Sequence, residues 1–301
     1  NSTLETFGTM GVYFFIILKL LPVVNRIINS TQDLKFSKFA LDQVCSFKEY
    51  LDNKKEYLDN KIELNIEKKN LQKFENFEFK DKFELKKCSF SYQNKIILNE
   101  ANLTVNKGEF ITIFGPSGIG KSTIIKILAG LINYENGDLI VDGKVTKLDS
   151  LRWKRLISYV PQDIAIYSGT ISQNISLEEN LDKIDESKLK NSIIKANLND
   201  FVSSKKEGLN YKLDDKGKNI SGGQIQRLGI ARALYHNPKI LLLDEFSSSL
   251  DDQNENEILQ TLQKLKNELT IVAISHKKSI TNYSDVVYIV ENNKIKISQK
   301  K

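Results

Sequence analysis

The sequence has few of the residues that build disulfide scaffolds and metal centres. Its 301 residues contain two cysteines and two histidines: Cys45, Cys88, His236 and His276. Two cysteines cannot form a disulfide framework, and their spacing matches no metal motif, so a reducing compartment is indicated. Two histidines also argue against a metal site built from histidine.

The proline and glycine contents and the net charge are also low, and each value limits the classes of protein to which the chain can belong. With 4 Pro and 15 Gly, collagen-like and proline-rich chains are excluded. A hydrophobic fraction of 40% predicts a globular chain with a buried core rather than a disordered one. The net charge of +6 allows an anionic ligand or a membrane surface but does not indicate nucleic acid.

Long apolar runs are scarce, and the most apolar stretch is Gly11–Val24. It contains Lys19 and Pro22, and it is shorter than the ~20 residues that a membrane-spanning helix needs. Extension to Leu4–Ile28 reaches that length but admits charged residues near the ends. Hydropathy alone leaves two interpretations open, a buried helix and the inner half of a transmembrane helix.

The pattern of the chain changes near residue 75. Before it, an amphipathic helix pattern passes into a connector rich in Lys, Glu and Asn. Beyond it, short apolar runs, among them 110–114, 157–160 and 240–243, alternate with helix patterns, which predicts an α/β domain with a largely parallel core sheet. The segment from about 163 to 232 is mostly helical in character. We therefore predict two parts, residues 1–75 and 76–301.

A glycine-rich segment, Gly115–Ser122, fits the phosphate-binding pattern G-x4-G-K-[ST] between an apolar strand and a helix. Glycines let successive backbone N–H groups curl around phosphate oxygens, and the helix N-terminus adds a positive dipole. Lys121 would place its charge on the β- and γ-phosphates, and the Ser122 hydroxyl would bind Mg²⁺. The predicted nucleotide contacts here are Gly115, Pro116, Ser117, Gly118, Ile119, Gly120, Lys121, Ser122 and Thr123.

An acidic pair, Asp244 and Glu245, follows the all-apolar run Ile240–Leu243. Such a run is typical of a strand buried on both faces, and ligands bind at the carboxyl ends of strands in open α/β sheets. We expect Asp244 to hold Mg²⁺ and Glu245 to polarise the attacking water. The alternative is an ordinary acidic helix cap, which the phosphate loop upstream disfavours.

A Ser-Gly-Gly turn opens another helix pattern, in the segment Asn219–Gln224 that precedes Ile225–Leu234. A turn of this kind is a second anion-binding helix N-terminus. Lying after the phosphate loop and before the acidic strand end, the segment resembles the signature of ATP-binding cassette (ABC) ATPases, with Ile220 in place of the usual Leu. The signature residues expected to contact nucleotide are Ser221, Gly222, Gly223 and Gln224.

The resemblance implies roles for four further positions. Tyr92 would stack on adenine, since stacking needs an exposed ring face; the alternative is an ordinary strand tyrosine. Gln162 resembles the glutamine that binds Mg²⁺ and water and responds to the transport domain. His276 resembles the switch histidine that contacts the γ-phosphate, and Ser249–Asp251 resembles the loop that crosses the dimer interface.

The resemblance also implies the fold. It is that of an α/β P-loop NTPase, an ABC cassette with a mainly parallel core sheet, an antiparallel β-subdomain and a helical subdomain. Upstream, Leu20–Asn29 resembles the end of the last transmembrane helix of an exporter half-transporter. Residues 1–75 are therefore interpreted as a transmembrane and connector segment, in the inner (plasma) membrane with the ATPase domain in the cytoplasm.

The implied ligands are ATP and Mg²⁺, and the implied partners are a second cassette, as a homodimer, and the lipid bilayer. Each phosphate loop would face the partner cassette's signature across bound ATP. Hydrolysis would power export or flipping of a substrate that this sequence does not identify. Leu20–Asn29 also resembles flippases of lipid-linked oligosaccharides, so a lipid or lipid-linked saccharide is one candidate. Nucleic acid is not an expected partner.

Two functions from other classes stay open as alternatives. One is a soluble ABC ATPase that acts on nucleic acid or the ribosome, which the apolar Leu4–Ile28 segment and the modest basicity disfavour. The other is a regulatory module that binds ATP without turnover. The presence of Glu245 and His276 disfavours that second alternative.

Overall fold

The computed structural model describes residues 79–93, 95–247 and 250–300. The predicted transmembrane and connector segment, residues 1–75, lies outside these ranges, as does Ser249. Within them, no helix has both the length and the apolar character needed to cross a membrane. The account below therefore concerns the predicted cassette.

The strands and helices follow one another as the periodicities predict, with some additions. The strands are β1 (Lys82–Tyr92), β2 (Lys95–Asn106), β3 (Phe110–Phe114), β4 (Asn136–Val141), β5 (Lys144–Thr146), β6 (Ile157–Val160), β7 (Gly169–Thr170), β8 (Lys212–Leu213), β9 (Ile240–Leu243), β10 (Thr270–Ser275), β11 (Val286–Glu291) and β12 (Lys294–Lys300). The α-helices of the described residues are α1 (Lys121–Leu128), α2 (Leu151–Lys154), α3 (Ile171–Ser176), α4 (Glu186–Lys195), α5 (Asn199–Ser203), α6 (Gly222–Tyr235) and α7 (Asp252–Leu265).

The central layer is a six-stranded sheet in the order β12-β11-β3-β10-β9-β6. Neighbouring strands from β11 to β6 are parallel, whereas the edge strand β12 pairs antiparallel with β11. The apolar runs that predict strands at 110–114, 157–160 and 240–243 coincide with β3, β6 and β9. The prediction of a largely parallel core sheet is confirmed.

The apolar strands of this sheet separate two hydrophobic cores, because alternate side chains of a strand point to opposite faces. In β9, Leu241 and Leu243 pack into the core that the helices α3 to α7 share. Ile240 and Leu242 pack into the opposite core, with α1 and the second sheet. All four side chains are 0% exposed, which confirms that the strand is buried on both faces.

The second sheet is antiparallel, in the order β2-β1-β4-β5, and forms the predicted β-subdomain. Trp153 fastens this sheet to the core. Its ring meets Phe83 of β1 edge-on, with centroids 5.3 Å apart. Its indole N–H donates to the Leu128 carbonyl at 2.6 Å, at the end of α1. The far end of the helix that begins at the phosphate loop is thus linked to the β-subdomain through Trp153 of α2.

The segment between β6 and β9 is the predicted helical subdomain, and it carries α3, α4, α5 and α6. Thr170 begins α3 and Ser221 begins α6, each in a capping box with a Gln three residues later. The segment also contains the two-residue strands β7 and β8, which pair antiparallel. Strands this short contain too few residues for an alternating pattern, so the sequence does not predict them.

Candidate nucleotide-binding site

The phosphate loop connects β3 to α1, as predicted. Gly118 and Gly120 have φ angles of +78° and +103°, in a backbone region that residues other than glycine rarely adopt. A Cβ at Gly120 would also lie 2.6 Å from Ile97 Cγ2. Because Gly120 has no side chain to cap α1, the first-turn N–H groups stay available to a ligand.

Lys121 lies inside this loop with 3% of its surface exposed. Its Nζ donates to the Pro116 carbonyl at 2.9 Å. The same nitrogen is 3.7 Å from Glu245 Oε1. A buried ammonium group is stable when hydrogen bonds and an opposite charge compensate its lost hydration. Lys121, the predicted phosphate ligand, and Glu245, the predicted catalytic carboxylate, therefore lie side by side.

Asp244 is 3% exposed, and both of its carboxylate oxygens accept hydrogen bonds. Ser122 Oγ donates to Oδ1 at 2.9 Å, and the Tyr159 hydroxyl donates to Oδ2 at 3.2 Å. Burial raises the pKa of Asp244 above its ordinary value, while these two hydrogen bonds act in the opposite direction. Burial and the neighbouring Asp244 charge also raise the pKa of Tyr159, which keeps its hydroxyl proton.

Sequence reasoning missed Tyr159. It lies three residues before Gln162, and it reaches Asp244 because β6 and β9 are parallel neighbours with Tyr159 in register with Leu242. The position at a strand end before a predicted ligand-binding glutamine is a signal that could have found it. The order of strands in the sheet, however, cannot be read from spacing along the chain.

The oxygens of Ser122 and Asp244 fit the predicted Mg²⁺ site. Hydroxyl and carboxylate oxygens are hard ligands, and Mg²⁺ on a nucleotide needs one or two of them besides phosphate and water. Among the residues that the structure describes, no group of three or more His, Cys, Asp or Glu side chains could hold a metal ion.

Glu245 has a φ of +43° and is one of eleven non-glycine residues with positive φ in the described part of the chain. A residue other than glycine in the left-handed region carries strain of about 1–3 kcal/mol, and such residues cluster at active sites. Its side chain is 15% exposed and points toward Lys121. This geometry supports the prediction that the Glu245 carboxylate faces the reacting phosphate.

The signature segment lies at the start of α6. Ser221 Oγ accepts a hydrogen bond from the Gln224 N–H at 3.3 Å, and Gln224 Oε1 accepts one from the Ser221 N–H at 3.0 Å. Ser221 and Gly222 are exposed, whereas Gly223 is buried. A Cβ at Gly223 would lie 2.7 Å from Asn254 Oδ1, so glycine permits a close approach to α7.

The remaining predicted residues lie at strand ends. Tyr92 ends β1 with 49% of its surface exposed, and its ring meets Phe90 edge-on at 4.7 Å. Gln162 follows β6 and His276 follows β10, and both are exposed. Since β3, β6, β9 and β10 are parallel neighbours, Gln162, His276 and the phosphate loop all lie at the carboxyl edge of the sheet. Ser221 instead belongs to the helical subdomain.

These features together define a P-loop nucleotide site of the ABC type, with a phosphate loop, an acidic strand end and a separate signature helix. The family model described as ABC transporter matches residues 98–248. The chain belongs to the ABC transporter family and carries its ATP-binding domain, which is an ATPase domain.

Several known proteins are similar to this chain. A Rickettsia conorii protein named as an export ATP-binding/permease protein is 37% identical over 213 residues, or 69% of this chain and 36% of that protein. An ABC multidrug transporter of Aspergillus fumigatus is 36% identical over 260 residues, or 85% of this chain and 19% of that protein. The chain therefore spans about a third or less of the length of these relatives.

Among solved structures, the chain is similar to a bacterial Atm1-family ABC exporter with ATP bound. The TM-score is 0.64 and the identity is 28%, covering 73% of this chain and 38% of that chain. The α/β cassette fold predicted from the motifs is confirmed.

Proposed function

We propose that this chain hydrolyses ATP between two cassettes and that this hydrolysis powers export of a substrate across a membrane. The observation that carries the proposal is the convergence of Lys121 Nζ and Glu245 Oε1 at 3.7 Å, beside the hydrogen bond from Ser122 to Asp244. The counter-charge for phosphate, two candidate metal ligands and the carboxylate that would polarise water then lie together at the carboxyl edge of the sheet.

In this proposal each group has a separate task. Lys121 and the N–H groups of the phosphate loop bind the β- and γ-phosphates, and Tyr92 stacks on adenine. Ser122, Asp244 and Gln162 would hold Mg²⁺, which when bound would neutralise phosphate charge. Glu245 polarises the attacking water, and His276 contacts the γ-phosphate.

The second cassette completes the site. Ser221, Gly222, Gly223 and Gln224 of one chain would contact the nucleotide held by the other chain's phosphate loop. Support comes from the exposure of Ser221 and Gly222 at a helix N-terminus and from the similarity to an exporter with ATP bound. A homodimer is the simplest assembly of this kind.

The transport role is supported by the relatives. One is named for export and another for multidrug transport, and both are longer than this chain. We place the protein in a membrane, with residues 1–75 as the end of its transmembrane part and residues 76–301 as the cassette. A lipid or lipid-linked saccharide remains a candidate substrate.

The test of hydrolysis is Glu245→Gln, which keeps the size of the side chain but removes its negative charge. We expect ATP binding to be retained, phosphate release to be lost and an ATP-bound dimer to accumulate in size-exclusion chromatography. Glu268→Gln, at an exposed carboxylate paired with Lys195, is the matched control and should behave as the parent. Phosphate release by Glu245→Gln at the parental rate would contradict the proposed mechanism.

The test of the membrane role is fractionation of cells that express the chain. We expect the protein in the membrane pellet after a salt wash, and in the soluble fraction when residues 1–75 are deleted. Recovery of the full chain with nucleic acid or ribosomes in the soluble fraction would instead favour the non-transport alternative.

A further inference from the structure

A buried carboxylate lies outside the set of predicted site residues. Glu255 is in the first turn of α7 and is 2% exposed. A buried carboxylate is retained at a cost in hydration free energy that its neighbours must offset. None of the motifs that identify the nucleotide site includes this residue, so its partners indicate what it does.

Those partners come from several segments of the chain. Glu255 Oε2 pairs with Lys277 Nζ at 2.7 Å. Glu255 Oε1 accepts hydrogen bonds from Ser279 Oγ at 2.7 Å and from Ser247 Oγ at 3.3 Å. Lys277 Nζ also donates to the Leu250 carbonyl at 3.1 Å. We call these five residues the Glu255 cluster.

Three of the partners lie close in the chain to residues with a predicted role in the nucleotide site or the dimer interface. Ser247 lies two residues after Glu245, and Lys277 directly follows His276. Leu250 directly precedes Asp251, the last residue of the segment predicted to cross the dimer interface. The Glu255 cluster therefore ties the loop after β9 to the loop after β10, through one carboxylate and one ammonium group.

The left-handed backbone of Glu245 explains why a link between the loops after β9 and β10 would matter for the site. A φ of +43° persists only where the surrounding structure holds the residue in place. Ser247 is 2% exposed, and its bond to Glu255 anchors the chain two residues beyond Glu245. The Ser247 bond is long at 3.3 Å, but Glu255 also reaches this loop through Lys277, which pairs with Glu255 at 2.7 Å and donates to the Leu250 carbonyl at 3.1 Å.

We propose that Glu255 is a positioning residue for ATP hydrolysis, which holds the loops of Glu245 and His276 in one fixed relative arrangement through Lys277, Ser279 and Ser247. The inference rests on the proposed ATPase function. It assigns Glu255 no contact with nucleotide. Loss of the cluster should therefore lower turnover while leaving the binding of ATP to the phosphate loop unchanged.

The kinetic test uses the full chain with Glu255→Gln and Lys277→Met, which remove one charge each at nearly constant size. We expect kcat to fall about 10- to 100-fold, the range that small misplacement of reacting groups produces. The KM for ATP should stay within about twofold, because an interaction made only in the transition state is lost. Lys277→Arg keeps the charge and should restore most of the parental kcat.

A second readout does not require turnover. Amide hydrogen exchange in the nucleotide-free chain should become faster in both loops together, after β9 and after β10, in Glu255→Gln and Lys277→Met. Glu268→Gln, whose carboxylate pairs with Lys195 elsewhere, is the matched control and should leave both loops unchanged. If Glu255→Gln does not fold, Ser279→Ala removes one hydrogen bond of the cluster and replaces it in both measurements.

The outcomes separate this inference from the proposed function. A parent chain that releases no phosphate refutes the proposed function and, with it, any role of Glu255 in hydrolysis; exchange in the two loops then tests only whether the Glu255 cluster holds them together. Parental kcat in the cluster variants, or unchanged exchange in both loops, overturns the positioning role while the ATPase assignment stands. A kcat loss accompanied by an equal loss of ATP binding, without rescue by Lys277→Arg, also overturns it.

Discussion

The two helices that open at glycine-rich turns, α1 and α6, begin in different ways. Gly120 precedes α1 and offers no side-chain cap, whereas Ser221 caps α6 in a reciprocal pair with Gln224. Neither helix has an acidic residue in its first turn, although acidic side chains are favoured at that position. Both helix starts thus leave space for an external anion.

The surroundings of the two helix starts differ more than the helices do. The start of α1 is partly buried, and its Lys121 and Ser122 side chains lie beside Glu245 and Asp244 of the same chain. The start of α6 is exposed and offers uncharged donors at Ser221 and Gly222. The first is equipped to bind a phosphate by itself. The second suits a ligand that is already held elsewhere, which is the basis for proposing a site shared between two chains.

Removal of the positive charge of Lys121, at the start of α1, should have the largest effect on ATP binding and hydrolysis. Lys121→Ala takes away the main counter-charge of the γ-phosphate, so we expect weaker ATP binding and no measurable hydrolysis. Equilibrium ATP binding and phosphate release measure the two effects. Full ATPase activity in this variant would show that α1 is not the primary phosphate site.

Obstruction of α6 should separate binding from turnover. Ser221→Arg places a bulky charged side chain at the exposed helix start, so ATP binding by one chain should stay near parental while dimerisation and hydrolysis are blocked. Light scattering with ATP and phosphate release are the measurements. If the arginine variant dimerises and hydrolyses ATP normally, α6 does not contact the partner's nucleotide.

A mixture of Lys121→Ala and Ser221→Arg chains tests whether each nucleotide site is shared between two chains. In a dimer of Lys121→Ala and Ser221→Arg chains, one composite site carries both changes and the other carries neither. Some hydrolysis should therefore return on mixing two inactive proteins. Its complete absence, with dimers demonstrated by light scattering, would argue that one intact site cannot act alone.

Substitution at the glycine before α1 should have a smaller effect. Gly120→Ala meets both a φ of +103° and a contact of 2.6 Å with Ile97 Cγ2. Gly118→Ala meets a φ of +78° with nothing within 4 Å. We expect each to lose about 1–3 kcal/mol of unfolding free energy, with the larger loss at Gly120. Urea denaturation measures this order. Addition of Ile97→Ala should restore part of the lost stability in Gly120→Ala but not in Gly118→Ala.

Removal of the α6 cap should have the smallest effect. Ser221→Ala loses the hydrogen bond from the Gln224 N–H, which is worth about 1 kcal/mol for an N-cap serine. Urea denaturation should show that loss, while ATP binding by the single chain stays parental. A stability change well above this value would mean that Ser221 has a structural role beyond its cap.

Elements with a complete local pattern were predicted closely. The runs that became β3, β6 and β9 are apolar and bounded by polar residues, so their ends are visible in the sequence. The strand β12 was not predicted, because its alternation is weak and β11 supplies its hydrogen-bond partners. The pair β7 and β8 was missed for the same reason, since each strand forms through its partner.

The sequence by itself determined the groups that act within a few residues of one another. A loop that needs left-handed glycines and a helix start, as at Gly118 and Gly120, has a fixed local spacing, and so does an acidic pair after a buried strand. Only the tertiary structure decided that Tyr159 meets Asp244 and that Glu255 joins Ser247 to Lys277. Those contacts depend on which strands are neighbours in the sheet and on how α7 packs. Spacing along a chain does not encode that order.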